Sequence, residues 1–581
     1  MPPALVASFA LAVLPQSWGK WPDVLVDFGQ QLYVPWRLSQ GDVLYRDVAY
    51  LHGPLSQYVN ATLFRLFGAG FWTLATFNLA TTALLVVLLY RLFARLGGIL
   101  SATTASLLFL AVFAFGQPLA VGNYNYVTPY VHEITHGIVL TLAGIWALAR
   151  LDETGRAAWA GAAGLLLGLA FLTKAETFAA AVVADGVFLV LLRSRLPHPA
   201  LPVFTAAALG PPLASFALFA TALPMRDAVL ATLGPFRPRV LLGGAGENVF
   251  FLEKMGLTQP DASLVATALT AAAWALLLVP AFLIARFVPA RRGRLAALLA
   301  AALAATVLAY LFPRIPWLAF SLPFPLAALA VAAYAARRLA RSPDPDDVRR
   351  ERLRLVLALF ALALLPKILL TCVVVQYGFV LAMPVTLLAA DAGVSLVPGL
   401  LAARGGTPAV FRAVVFVALA AVSLSLLALS SARFAAKTVR VGTGRDVFLA
   451  DVRGLFVDAT LAELARIRRP GETFAAVPEG SMLNYLARLP NPTPYTNLMP
   501  TEVTSFGEDA ILAAFEAHPP DLVAVVQKST AEYGLPLFGT HYAQRLGAFL
   551  EERYEGVARL GAAPLRDERF GIAILRRKRA P

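Results

Sequence analysis

VDFGQQLYVPWRLSQGDVLYRDVAYLHGPLSQY, residues 26–58, lies between an apolar N-terminal segment and a long succession of further apolar segments. It carries three aspartates, a histidine and several aromatic and amide side chains. Whether this stretch is an ordinary soluble loop or sits against a bilayer decides the fold. In a loop of a soluble protein its aspartates would be unremarkable. Beside hydrocarbon, ionisable groups are costly and tend to serve function.

The surrounding chain favours the bilayer. Of 581 residues, 59% are hydrophobic and only 14% charged, and the mean hydropathy is +0.69. Soluble domains do not have this composition; polytopic membrane proteins do. Windows apolar enough to cross about 30 Å of hydrocarbon recur thirteen times, near 3–18, 70–93, 99–116, 133–150, 157–172, 175–192, 201–223, 263–287, 294–312, 315–336, 353–371, 374–397 and 409–430. The first is short, but LPQSWGKW after it is a poor small-residue cleavage site, so an uncleaved first span is expected. The single cysteine, Cys372, excludes a disulfide framework or a thiolate metal site. Much of the +14 net charge falls in short loops between apolar windows, which speaks against a nucleic-acid partner.

Those basic loops orient the chain. Arg91 and Arg95, Arg150 and Arg156, Arg193 and Arg195, the group Arg286 to Arg294, the group Arg337 to Arg354, and Arg404 and Arg412 occupy every second loop. By the positive-inside rule these face the cytoplasm. The N-terminus is then cytoplasmic, and the segments 19–69, 117–132, 173–174, 224–262, 313–314 and 372–373 lie outside, with everything after 431. The expected protein is a multi-pass one of a bacterial inner (plasma) membrane. It divides into a transmembrane unit, 1–430, and a periplasmic or external tail, 431–581. ETFAAVPEG in the tail predicts a strand into a turn, and SMLNYLARL a helix. EDAILAAFEAHPPDLVAVVQ predicts a helix, a break and a buried strand, and FGIAILRRK a last strand. The pattern is that of a small α/β domain.

Four groups of polar residues need a chemical reason. The spacing of Phe28, Leu32 and Trp36 predicts a helix lying flat at the interface, with Tyr33 and Trp36 at headgroup depth, and PLSQYVNATLFRLFG predicts a second. In GQPLAVGNYNYVTPYVHEITHG, His132 and His136 are four apart with Glu133 beside them. One helix face could present both imidazoles to a metal, although without a third ligand a hydrogen-bonding role is the commoner one. GLAFLTKAETFAA puts Lys174 and Glu176 at an outer hairpin. A lysine at bilayer depth costs roughly 3 kcal/mol, less near the interface. It is either one half of a local ion pair or a cation kept for an anionic head group. Lys367 raises the same question, and Arg226, Arg237, Arg239, Lys254 and Arg314 add basic residues where outer loops normally avoid them.

Together these features resemble the GT-C class of membrane glycosyltransferases, nearest to glycosyltransferase family thirty-nine and the dolichyl-phosphate-mannose and aminoarabinose transferase-like branch. The resemblance rests on Asp27 of VDFGQQLY, on GDVLYRD…GPL through Asp47 and Pro54, and on GLAFLTKAE through Lys174. It covers residues 1–200 well, the later spans loosely and the tail only in its placement. The family commonly shows an acidic pair in the first loop. Here Phe28 follows Asp27, which leaves Asp47 and Glu133 as candidates for the second carboxylate.

The resemblance implies a polytopic α-helical protein of about thirteen spans with catalytic carboxylates in loop 19–69. Its donor would be a polyprenyl-phosphate sugar, and its acceptor a glycan, lipid or protein. Asp27 would take the acceptor proton, and Lys174, Arg314 and Lys367 would receive the phosphate. His52, Tyr124, His132, His136 and Glu176 are the candidate substrate contacts. One in-line step would invert the anomeric carbon. No cofactor is required, though a divalent cation (Mg or Mn) could assist. A transporter or flippase for an amphipathic lipid-linked substrate is the alternative. Such a protein should show inverted repeats and mid-span polar breaks, and neither is evident. A non-catalytic scaffold would leave the acidic loop and Lys174 unexplained.

Overall fold

A computed structural model of the chain describes residues 2–121, 124–237 and 249–578. Arg239 lies outside the described residues.

Among the described residues, nine helices are long and apolar enough to cross a membrane. The largest, Phe71–Ala114, is two arms rather than one. Gly97 (φ −138°, ψ 17°) and Gly98 (φ 73°, ψ −164°) break it into a corner. Gly98 supplies the left-handed φ that side chains disfavour. At Gly97 a Cβ would sit 2.3 Å from Ser395 Oγ, so only glycine admits that neighbour. With the shorter apolar helices Pro2–Ser17 and Ala157–Phe171, and with Pro345–Leu364, every one of the thirteen windows falls on an apolar helical segment. Two windows overshoot. The helix expected over 353–371 stops at Leu364, just before Pro366, because a proline disfavours helical backbone in the residue ahead of it. The chain then runs through short turns until a helix resumes at Met383.

The elements that frame the site come early. They are α1 (Pro2–Ser17), α2 (Phe28–Ser39), α3 (Leu55–Phe67), α4 (Phe71–Phe109), α5 (His132–Thr154), α6 (Ala157–Phe171) and α7 (Ala175–Leu192). Helices α2 and α3 form where expected, and α3 keeps Leu66 and Phe67 exposed, but α2 is not open to lipid headgroups. Tyr33 is 1% exposed, and its hydroxyl accepts the Asn491 N–H at 2.9 Å. Trp36 packs edge-on to Tyr485 and lies under Arg488. The reason is that the tail covers this face. At Gly29 a Cβ would fall 2.4 Å from Met482 N, so α2 meets the helix Ser481–Ala487 backbone to backbone.

The last long helix, Pro408–Ala435, ends five residues beyond the expected boundary. The tail opens with an antiparallel pair, β1 (Val439–Val441) and β2 (Phe448–Ala450). A four-stranded sheet follows, built from β3 (Phe474–Val477), β4 (Leu522–Val526), β5 (Tyr554–Gly561) and β6 (Gly571–Arg577) in the order β3-β4-β6-β5. Strands β3 and β4 are parallel, Phe474 opposite Leu522 and Val477 opposite Val525; β6 is antiparallel to both its neighbours. The strands and helices predicted for the tail are present. Strand β5 escapes a sequence reading because most of it is exposed and its pairing slips between Gly556 and Ala558.

The tail is tied to the first loop at several points. Leu449 N–H donates to Gly19 O at 2.8 Å. Lys437 Nζ donates to the carbonyls of Lys20 and Pro22. Arg453 pairs with Asp23 at 2.6 Å, and Asp446 accepts the Phe71 N–H at 2.9 Å.

Candidate active site

Asp27 precedes α2 with φ 60° and ψ −65°, a conformation rare for a residue with a side chain. Strain of this kind persists where surroundings impose it, and it gathers at functional sites. Here the Asp27 N–H donates to Glu479 Oε1 at 3.0 Å, a partner 452 residues away in the tail. Glu479 is 6% exposed, and its other oxygen lies 2.6 Å from Lys528 Nζ. Burial, and next the Glu479 carboxylate, push the Asp27 carboxyl well above its ordinary range; Lys528 pulls it back, and Asp23 and Glu502 add further negative charge. Glu502 accepts from Thr501 at 2.8 Å and Asn497 at 3.3 Å, and burial pushes it up to about 7.

A cationic pair lies at the α6–α7 connection. Lys174, 5% exposed, is 3.4 Å from Glu176 Oε1, and Lys367 is 3.4 Å from the same atom. Two ammonium groups thus share one carboxylate and leave positive charge in excess. Lys174 stands over the Tyr130 ring and Lys367 over that of Tyr377. Tyr130 and Tyr377 have centroids 6.0 Å apart and buried hydroxyls that find no hydrogen-bond partner among the described residues.

Loop residues 51–55 join the two groups. Gly53 N–H donates to Thr173 O at 2.7 Å and Leu55 N–H to Leu172 O at 3.0 Å, which sets His52 beside Lys174. Burial and then Lys174 push the His52 imidazole well below its usual value. Arg237 reinforces this loop, donating to Tyr50 O at 2.5 Å and stacking on Tyr45. A cavity of about 20 Å³, roughly one water's worth, is lined by Gln30, Tyr50, His52, Asn497 and Glu502, among others. The charges of Asp27 and Glu176 both reach Tyr130, over whose ring Lys174 stands.

Several sequence candidates fall elsewhere. Asp47 holds Arg46 at 2.8 Å and accepts the Val43 N–H at 2.8 Å; it locks its own turn, and Arg46 keeps its carboxyl below the usual range. Asp42 is paired with Arg37 at 2.6 Å. Arg314 is exposed and touches Tyr310 of its own helix end. Glu133 is fully buried and accepts from Tyr50 and Gln57, each at 3.0 Å. His132 lies 2.8 Å from Gln31 Oε1 and 2.9 Å from Asn78, and His136 Nδ1 is 2.9 Å from Ser56 Oγ. These contacts bind α2, α3, α4 and α5 into a polar floor beneath the site. Tyr124 meets Thr135 through its hydroxyl and Tyr130 edge-on. Among the described residues no group of three or more His, Cys, Asp or Glu side chains could hold a metal, and beside Glu479 the Lys528 ammonium already fills the cationic position.

The sequence reading missed Glu479, Lys528 and Glu502, and the tyrosines 130 and 377. A signal existed for the first two. Each stands two residues beyond the carboxyl end of a buried strand, the edge at which open α/β sheets place ligands.

Comparison with known proteins bears on this constellation. Residues 51–216 match the family of dolichyl-phosphate-mannose-protein mannosyltransferases. The chain is similar to membrane glycosyltransferases of the GT-C class. The matched stretch holds His52, Glu133, Lys174 and Glu176, while Asp27 precedes it. Among solved structures the chain is similar to the Archaeoglobus fulgidus oligosaccharyltransferase in complex with Zn and sulfate, at 14% identity, over 90% of this chain and 68% of that one, with a TM-score of 0.49. It is likewise similar to ArnT from Cupriavidus metallidurans bound to undecaprenyl phosphate, at 15% identity, over 98% and 97% of the two chains, with a TM-score of 0.46. No curated protein matches the chain in sequence.

Proposed function

We propose that the protein is an inverting glycosyltransferase that moves a sugar from a polyprenyl-phosphate donor to a glycan, lipid or protein acceptor at the outer face of the membrane. The observation that carries this reading is a half-buried carboxylate, Asp27, close enough to act on Tyr130, the tyrosine over whose ring Lys174 stands, with Lys174 and Lys367 sharing the single carboxylate of Glu176. The family match, to enzymes named for a lipid-phosphate sugar, supports the donor class.

In this mechanism the acceptor hydroxyl gives its proton to the Asp27 carboxylate as its oxygen attacks the anomeric carbon. A carboxylate with a raised proton affinity is a better base for that step. The bond to the lipid phosphate breaks on the opposite side. The phosphate oxygen takes the bonding pair, and its growing charge is met by Lys174 and Lys367. Glu176 is the resting counter-ion that the phosphate displaces from them. A single displacement inverts the carbon. The lipid tail stays in the bilayer and contributes about 0.8 kcal/mol per buried CH₂, so the protein needs only a small cationic site for one phosphate. Residues 1–430 would be the catalytic membrane unit, with the N-terminus cytoplasmic, and 431–581 an outer domain that helps select the acceptor.

The test is transfer by the purified protein in liposomes. A synthetic polyprenyl-phosphate sugar should serve as donor and a nucleotide sugar should not. Transfer from a nucleotide sugar alone, without a lipid intermediate, would overturn the reading.

A further inference from the structure

We infer that the tail is a working half of the catalytic centre: Glu479 is a positioning residue for the Asp27 base, and Lys528 is the charge that balances the pair. This rests on the reading of Asp27 as the base.

The placement is specific. Because β3 and β4 are parallel, their carboxyl ends leave the sheet at one edge. Glu479 follows β3 and Lys528 follows β4, so the two side chains meet there, 2.6 Å apart. Open α/β sheets commonly use this edge to hold small ligands. In this chain it is turned onto a residue of the membrane unit, through the 3.0 Å bond from Asp27 N–H to Glu479 Oε1.

Docking alone does not require this contact. The tail is already held to the first loop through Gly19, Lys20, Pro22 and Asp23, and to the start of α4 through Phe71. Taking a carboxylate and an ammonium out of water is costly, and a buried pair is often no more stabilising than apolar residues of its size. The bond to Asp27 gives the pair a different use. It holds the one backbone N–H whose orientation fixes the uncommon φ of 60°, and that φ sets where the Asp27 carboxylate points. A base must stand within hydrogen-bond reach of the proton it takes, so a small rotation here would cost rate without unfolding anything.

The pair also sets the charge around the base. The charged groups facing Asp27 are Glu479 and Lys528 from the tail's strand ends, Glu502 from the helix Pro500–Phe506, and Asp23 from the same loop, the last neutralised by Arg453. Asp27 works deprotonated, so activity rises with pH through its titration. Removing the negative charge of Glu479 makes Asp27 easier to deprotonate and moves this acid limb to lower pH. Removing the positive charge of Lys528 moves it to higher pH. A pair whose charges did not reach Asp27 would give no such opposed shifts.

The experiment measures kcat and KM for the lipid donor against pH, on the full chain in liposomes, for wild type, Glu479→Gln, Glu479→Ala, Lys528→Met, Lys528→Arg and Asp27→Asn. The glutamine keeps an oxygen to accept the Asp27 N–H. We expect Glu479→Ala to lose tenfold or more in kcat with donor KM within twofold, and Glu479→Gln to recover most of that loss. The acid limb should shift down in Glu479→Gln and up in Lys528→Met, each by roughly one unit, and stay in place in Lys528→Arg. Acid limbs that do not move, or that move the same way, overturn the inference; an inactive Asp27→Asn alongside them would leave the base assignment standing. An active Asp27→Asn would instead bring down the base assignment and the inference together.

Discussion

At the scale of single residues, charge placed next to hydrocarbon carries the proposed chemistry. Asp27→Asn keeps shape and polarity but accepts no proton, so turnover should fall about 10²-fold or more while the protein still inserts and folds; near-wild-type transfer at normal expression would refute the assignment. Lys174→Met keeps the stem and removes the charge. Donor affinity should drop while insertion becomes easier, and Lys367→Met should behave alike because both ammonium groups lean on Glu176. An unchanged donor KM in the double variant would dismiss the phosphate site. Glu502 links pH to stability. Its folded-state pKa, pushed up to about 7, lies above the ordinary value of 4.5. The folded form therefore holds the extra proton between those values, and stability falls as pH rises through the window. Glu502→Gln removes the penalty, so its gain in unfolding midpoint over wild type should be larger at pH 8 than at pH 5. As candidates, Asp27 and Lys174 stand out in the sequence because a charge beside an apolar span is uncommon. Asp47 stood out equally, and only the structure shows its carboxylate spent on Arg46 and the Val43 N–H.

At the scale of elements, the site depends on two close approaches that glycines permit. At Gly53 a Cβ would lie 2.2 Å from Leu172 O. Gly53→Ala should push loop 51–55 off the α6–α7 connection and separate His52 from Lys174. A misplacement near 1 Å can cost up to about 10²-fold in rate, so kcat/KM for the donor should fall at least tenfold with helix content unchanged; a kinetically silent variant would mean that the two loops are not coupled. The helices themselves were readable because bilayer-length apolar runs and interfacial spacing are local signals. What covers α2 was not. Tyr33 and Trp36 look like headgroup anchors in isolation, and the surface that buries them is written more than 440 residues later, around Met482, Tyr485 and Asn491.

At the scale of the whole molecule, the first loop and the tail form one end of the bundle. The basic loops predict that this end is external. A phosphatase fused after the tail should be active and a cytoplasmic reporter silent at the same point; the reverse would mean that a span has been miscounted. Spans, basic loops and the α/β character of the tail came through in composition and periodicity. The composite character of the site did not, because no local pattern in VPEG or VVQKST announces a contact with Asp27.

The 3.0 Å bond between Asp27 and Glu479 also bears on biogenesis. The ribosome makes Lys528 501 positions after Asp27. At about 5–20 residues per second, roughly 25 to 100 seconds separate the two. Through that interval the nascent chain can insert span after span while the Asp27 N–H lacks its Glu479 acceptor. A chain that stalls or is clipped before β4 would sit in the membrane as an inert helical bundle. On the proposed reading, synthesis of β4 and Lys528, rather than insertion of the spans, would then be the moment at which lipid-linked sugar first becomes vulnerable to it.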